Sequence, residues 1–148
     1  MKNRILTKTF VIKVIKVALI SAITNAILLA LVKPLSGVPD TFSPFFYSNV
    51  IWFTILGVLA AAAVYVAWGW LLPRRELNRD FTIIAWLALF ISFIPDLMMP
   101  FSTDRDNIGA TPFVVGILIV MHIIPAILVI HSFTGWKSRK HSALPAAE

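Results

Sequence analysis

Apolar residues in this chain gather into four runs, about 11–32, 49–72, 81–100 and 112–133, each separated by a short polar or proline-bearing stretch. Runs of about twenty residues match the roughly 30 Å hydrocarbon thickness of a bilayer at about 1.5 Å per helical residue. Continuous apolar runs, rather than alternating ones, predict helices and exclude a barrel. The expected fold class is therefore an all-α integral membrane protein: one domain over 1–148, a four-helix up-down-up-down bundle with a tail at 134–148.

Within each run the small and polar positions share a face. In the first, Ala18, Ala22, Ala26 and Ala30 recur every fourth residue, with Ser21 and Asn25 beside them. Such spacing lets helix backbones approach closely in lipid. In the second, Thr54, Gly57, Ala61, Tyr65 and Trp68 fall in one arc. In the third, Ala85, Ala88, Ser92 and Asp96 do so, and Pro95 cannot donate to the Ile91 carbonyl and is expected to kink the helix. In the fourth, Val115, Leu118, His122, Pro125, Ala126 and Val129 share a face while His131 points the other way.

The connections carry their own signals. Residues 33–48 hold three prolines, a glycine and four aromatics (Phe42, Phe45, Phe46, Tyr47), which predicts a non-helical segment resting in the interface, with Lys33-Pro34 closing the first run. The stretch 73–80, PRRELNRD, reads as a short charged loop joining antiparallel neighbours. Asp104 and Asp106 resemble the start of a calcium loop, but Ile108 and Val115 occupy positions that require ligands. Gly109 is expected to supply a bend there.

Composition sharpens this picture. The chain is 59% hydrophobic and its mean hydropathy is +0.87, against roughly 45–50% apolar residues in soluble domains. It has no cysteine, which removes disulfides, thiolate metal sites and palmitoylation. The net charge of +6 sorts by side. Five Lys or Arg (Lys2, Arg4, Lys8, Lys13 and Lys16) lie before or at the start of the first run, three lie between the second and third, and three follow the fourth, against Lys33 and Arg105 on the other side. The positive-inside rule then places both termini in the cytoplasm, with Trp52 at the outer interface and Trp68, Trp70 and Trp136 at the inner one. No nucleic-acid partner is expected. The basic start could be a cleaved signal peptide, but no small-x-small site follows and the segment is expected to stay.

An ionisable side chain at mid-bilayer costs roughly 2.5–3.5 kcal/mol, so Asp96 and His122 ask for an explanation. Taking about 1.5 Å per residue from the outer ends, Asp96 lies roughly 6 Å deep, Thr54 about 8 Å, Asn25 about 10 Å, Ser92 about 12 Å and His122 about 15 Å. All five fall in the outer half on inward faces. They are the expected ligand-binding cluster, opening outward, with Asp96 wetted at its mouth and His122 at its floor; interhelical hydrogen bonding is the competing role. No metal site is expected: His122 and His131 face apart, and no second histidine faces His122 for a haem. No nucleophile–base pair at helical spacing and no phosphate loop is present, so neither a cofactor nor an enzymatic activity is expected.

Asn25 in the first run, Ser92 and Pro95 late in the third, and Met121-His122 in the fourth together resemble an uncharacterised family of small bacterial four-span membrane proteins. The resemblance implies the topology and a bacterial cytoplasmic membrane; it implies no activity. The functional expectation is a non-enzymatic accessory or small-ligand-binding subunit. Its partners would be membrane lipids, further copies of itself or a larger membrane complex. The alternative is a small oligomeric transporter or channel in which His122 and Asp96 bind a proton or solute. A membrane enzyme acting on a lipid or quinone is the third class.

Overall fold

The computed structural model describes residues 6–71, 73–102 and 109–135. Lys2, Arg4, Asp104, Arg105, Asp106, Ile108, Trp136 and the basic tail lie outside them. The described chain contains four long helices: α1 (Lys8–Ser36), α2 (Tyr47–Leu71), α3 (Arg74–Met98) and α4 (Pro112–Thr134). Each is long and apolar enough to cross a membrane. Short 3-10 turns, Ser43–Phe45 and Met99–Phe101, precede α2 and follow α3.

Local chemistry sets the ends. The Thr7 hydroxyl accepts from Phe10 N–H and the Thr111 hydroxyl from Val114 N–H, capping α1 and α4. Pro112 occupies the first turn of α4, where its missing N–H removes no bond. Gly37 (φ 64°) and Gly135 (φ 63°) end α1 and α4 in the left-handed conformation.

Two expected boundaries move. Lys33-Pro34 does not close α1, because a proline in the last turn removes only one intrahelical bond and the helix reaches Ser36 before Gly37 stops it. The stretch 73–80 is not a loop. Pro73 sits at the start of α3, Glu76 complements its first turn, and Leu77 and Phe81 bury their side chains in the bundle. Packing thus draws the stretch after Pro73 into the helix.

Two buried clusters show the alternating direction of the helices. One joins Val14 and Val17 near the start of α1, Ala62 and Tyr65 late in α2, Leu77 and Phe81 early in α3, and Val129 and Phe133 late in α4. The other joins Leu29 late in α1, Val50 early in α2, Val114 and Leu118 early in α4, and Phe42 and Phe45 from the first connection. The bundle is up-down-up-down, with the start of α1 and the end of α4 at one end and the two longer connections at the other.

Outside the bundle the polarity is that of an inverted globular protein. Leu19, Ile23, Ile27 and Leu31 of α1, Phe53 and Leu56 of α2, and Leu87, Ile91 and Ile94 of α3 are all exposed. Contiguous apolar surface of this kind needs an apolar surrounding. On α1 the buried line follows Val14, Val17, Ala18, Ser21, Ala22, Asn25, Leu29 and Val32. Ala30, expected on that face, is exposed. A strict four-residue spacing rotates about 40° per step, so it leaves the interface after three steps. Trp68 likewise lies outside the buried row of α2.

Candidate functional site

At the end that holds the termini, Phe10, Tyr65, Phe81 and Phe133, one ring from each helix, pack together with centroids 4.9–5.9 Å apart. The Tyr65 hydroxyl lies 3.0 Å from Asn78 Oδ1 and 3.1 Å from the Phe133 carbonyl, and Asn78 Nδ2 donates to the Thr134 carbonyl at 3.3 Å. These polar groups bond one another across α2, α3 and α4, which makes this end a structural clasp.

The other half is built differently. α2 and α3 stand apart there, and a cavity of about 660 Å³ fills the gap. Its walls are Phe53, Thr54, Gly57 and Ala61 of α2, Ala85, Ala88, Ser92 and Asp96 of α3, and Leu118, His122, Pro125 and Val129 of α4, with Asn25 reaching in from α1. The small faces noted on each helix explain the space: Gly57, Ala61, Ala85 and Ala88 place no bulk where two helices would otherwise meet. A Cβ added at Gly57 meets nothing within 4 Å.

All five residues expected to cluster, Asn25, Thr54, Ser92, Asp96 and His122, line this one cavity. Asn25 is its structural hinge. Its Nδ2 donates to the Thr54 hydroxyl at 3.0 Å and to the Met121 carbonyl at 2.9 Å. Met121 is four residues before Pro125, which has no N–H to give it, so the helix leaves that carbonyl open. Asn25 fills the vacancy from a neighbouring helix and ties α1, α2 and α4 together.

Asp96 and His122 meet across α3 and α4, with His122 Nδ1 3.2 Å from Asp96 Oδ2. The same Nδ1 is 2.8 Å from the Leu118 carbonyl. A carbonyl only accepts, so Nδ1 carries the hydrogen and directs it along its own helix. Asp96 Oδ2 therefore lies beside the ring without receiving a hydrogen bond, and it is buried without one. Phe93 stands edge-on to the His122 ring at 6.5 Å. Ser92 donates to the Leu89 carbonyl at 2.7 Å, so it lines the cavity while bonding within α3.

Two expectations are corrected here. Asp96 does not sit wetted at a mouth: its side chain is 6% exposed, whereas that of His122 is 41% exposed. Nor is the first connection merely an interfacial anchor. Phe42 and Phe45 are buried between the helices, and only Phe46 and Tyr47 face outward. Ser43 and Pro44 line the cavity at the loop end, and Asn49 Nδ2 holds that turn through Ser43 O and Oγ at 2.9 and 3.0 Å. The second connection packs on the first, since Gly109 (φ 102°) approaches Pro39 so closely that a Cβ would lie 2.9 Å from its Cδ. The thin part of the wall is instead the seam between α2 and α3, where Gly57 and Ala88 are exposed.

The Met121 carbonyl is the group that residue-by-residue reading of polar side chains passes over, because it belongs to a methionine backbone. Its signal is Pro125, four positions on. Among the described residues, no group of three or more His, Asp or Glu side chains could hold a metal ion. No family model, no curated protein and no solved structure matches the chain, so the meaning of the site rests on its geometry.

Proposed function

We propose that this is a multi-pass protein of a bacterial cytoplasmic membrane, with both termini cytoplasmic, that binds a small amphiphilic ligand between α2, α3 and α4 without transforming it. The observation that carries this reading is the cavity itself. Its volume of about 660 Å³ lies within the roughly 300–1,000 Å³ of small-molecule sites, and an apolar wall with a few convergent polar groups is their usual chemistry. Close packing is the rule in protein interiors, and the cavity beside the four rings at the other end, about 290 Å³, is less than half as large.

The test is to purify the protein into lipid nanodiscs and identify retained small molecules by native mass spectrometry. A bound species in the parent protein, absent from Gly57→Leu, is the expected result. Equal retention by both, or no species beyond bulk lipid in either, removes the ligand reading. Orientation is tested separately, because the chain has no cysteine of its own. Asp40→Cys is expected to react with an impermeant maleimide on intact cells and Leu6→Cys only after lysis; the reverse pattern inverts the topology.

The second reading, a small oligomeric transporter or channel, draws on the Asp96–His122 pair. A carboxyl group and an imidazole 3.2 Å apart are close enough to exchange a proton once Nδ1 leaves the Leu118 carbonyl. Proton flux into liposomes that His122→Ala abolishes, with the fold intact, would favour it over simple binding.

A further inference from the structure

Given the ligand-binding reading, on which this rests, we infer that the ligand carries a cationic head with N–H donors, an amphiphilic amine, seated against Asp96 and Asn25. The reason lies in how the cavity's hydrogen-bonding groups are spent. Asn25 Nδ2 gives its two hydrogens to Thr54 and to the Met121 carbonyl. The Ser92 hydroxyl gives its one to the Leu89 carbonyl, and Asn49 Nδ2 is taken by Ser43. His122 Nδ1 directs its hydrogen to the Leu118 carbonyl. Of these side chains, only the Thr54 and Ser43 hydroxyls, each accepting from an amide, keep a hydrogen not given to a protein partner.

The acceptors tell the opposite story. Asn25 Oδ1 and Asp96 Oδ2 are both buried without a hydrogen-bond partner, on residues 1% and 4% exposed, and both residues line the cavity. A buried amide oxygen without a donor carries its full desolvation penalty uncompensated. A buried carboxylate is costlier and is normally paired. Among the described residues the other ion pairs are Lys33–Asp40 and Arg79–Asp80, and only the His122 ring lies within pairing distance of Asp96. The protein has thus committed its amide donors and left two acceptor oxygens, one of them a carboxylate's, buried without donors on residues that line the cavity. An anionic or purely accepting head would add to that imbalance. An ammonium supplies up to three N–H donors and the missing charge, while its apolar body suits walls of Gly57, Ala61, Ala88 and Leu118. The thin seam between α2 and α3 admits such a molecule sideways from an apolar surrounding.

The experiment uses the intact protein in phosphatidylcholine nanodiscs and four probes of one chain length: decylamine, decyltrimethylammonium, decanol and decanoate. Empty discs correct for partitioning, and native mass spectrometry counts bound probe. Decylamine is expected to bind at least about tenfold more tightly than either decyltrimethylammonium, which has charge but no N–H, or decanoate, the minimum for a charge-assisted bond. Asp96→Asn is expected to lower decylamine to the level of decanol. Tightest binding of decanoate or decanol, or equal binding of the two cations, overturns the amine head while leaving an occupied cavity. If none of the four binds above empty discs, the ligand reading falls and this inference with it. The probe series on the parent protein decides the matter even if Asp96→Asn does not fold.

Discussion

The two halves of this bundle use the same helices to opposite ends. Near the termini, Phe10, Tyr65, Phe81 and Phe133 fill the axis from four sides, and Tyr65 and Asn78 satisfy the nearby carbonyls. Near the connections, α2 and α3 present Gly57, Ala61, Ala85 and Ala88 to each other and enclose space. Polar groups are paired across helices in the clasp, whereas Asn25 Oδ1 and Asp96 Oδ2, on cavity-lining residues, lack donors; Ser21 Oγ, one turn before Asn25 on α1, is also buried without a partner. Unmet bonds and empty volume together are what a stability-optimised bundle would remove. The difference teaches that one half holds the helices together so that the other can stay open.

The contrast can be broken most severely at the clasp. Phe81→Ala is expected to destabilise the bundle by about 2–3 kcal/mol. That is below the roughly 3–5 kcal/mol of a soluble core because lipid removes the transfer part and leaves the packing loss. Reversible unfolding in mixed micelles measures it, and a change below about 0.5 kcal/mol would mean the rings do not carry the packing.

Asn25→Leu comes next, at about 1–3 kcal/mol, since it leaves the Met121 carbonyl with no donor. Membrane hydrogen bonds average only about 0.6 kcal/mol, so a value well above that average separates filling a proline vacancy from ordinary interhelical bonding. A loss near the average would show that water or a backbone shift repairs the vacancy.

The smallest effect has the opposite sign. Gly57→Leu adds a better helix former in open space and is expected to stabilise by up to about 1 kcal/mol, by the same unfolding assay, while occupying the cavity. Destabilisation there would mean that the gap between α2 and α3 is already closed.

Part of this is legible in the sequence. Runs of about twenty apolar residues leave a chain little choice but helices, and the connections between them force antiparallel neighbours. The inward faces were legible too, because helical period alone groups Ala85, Ala88, Ser92 and Asp96, so the membership of the site followed. The ends of helices were less so. PRRELNRD looks like a loop until Leu77 and Phe81 find a core to enter, and only the packed bundle supplies that core.

What the sequence by itself determined is therefore periodic and local: four helices, their polar faces and the residues that could meet. Tertiary structure alone decided how they meet. It buried Asp96 more deeply than His122, and it set the turn at Ser43 against the same cavity. It gave Asn25 to the carbonyl that Pro125 abandons, 96 residues away in the chain. It left α2 and α3 apart. None of these is periodic, for each depends on which side chain arrives first at a vacancy shared by several helices.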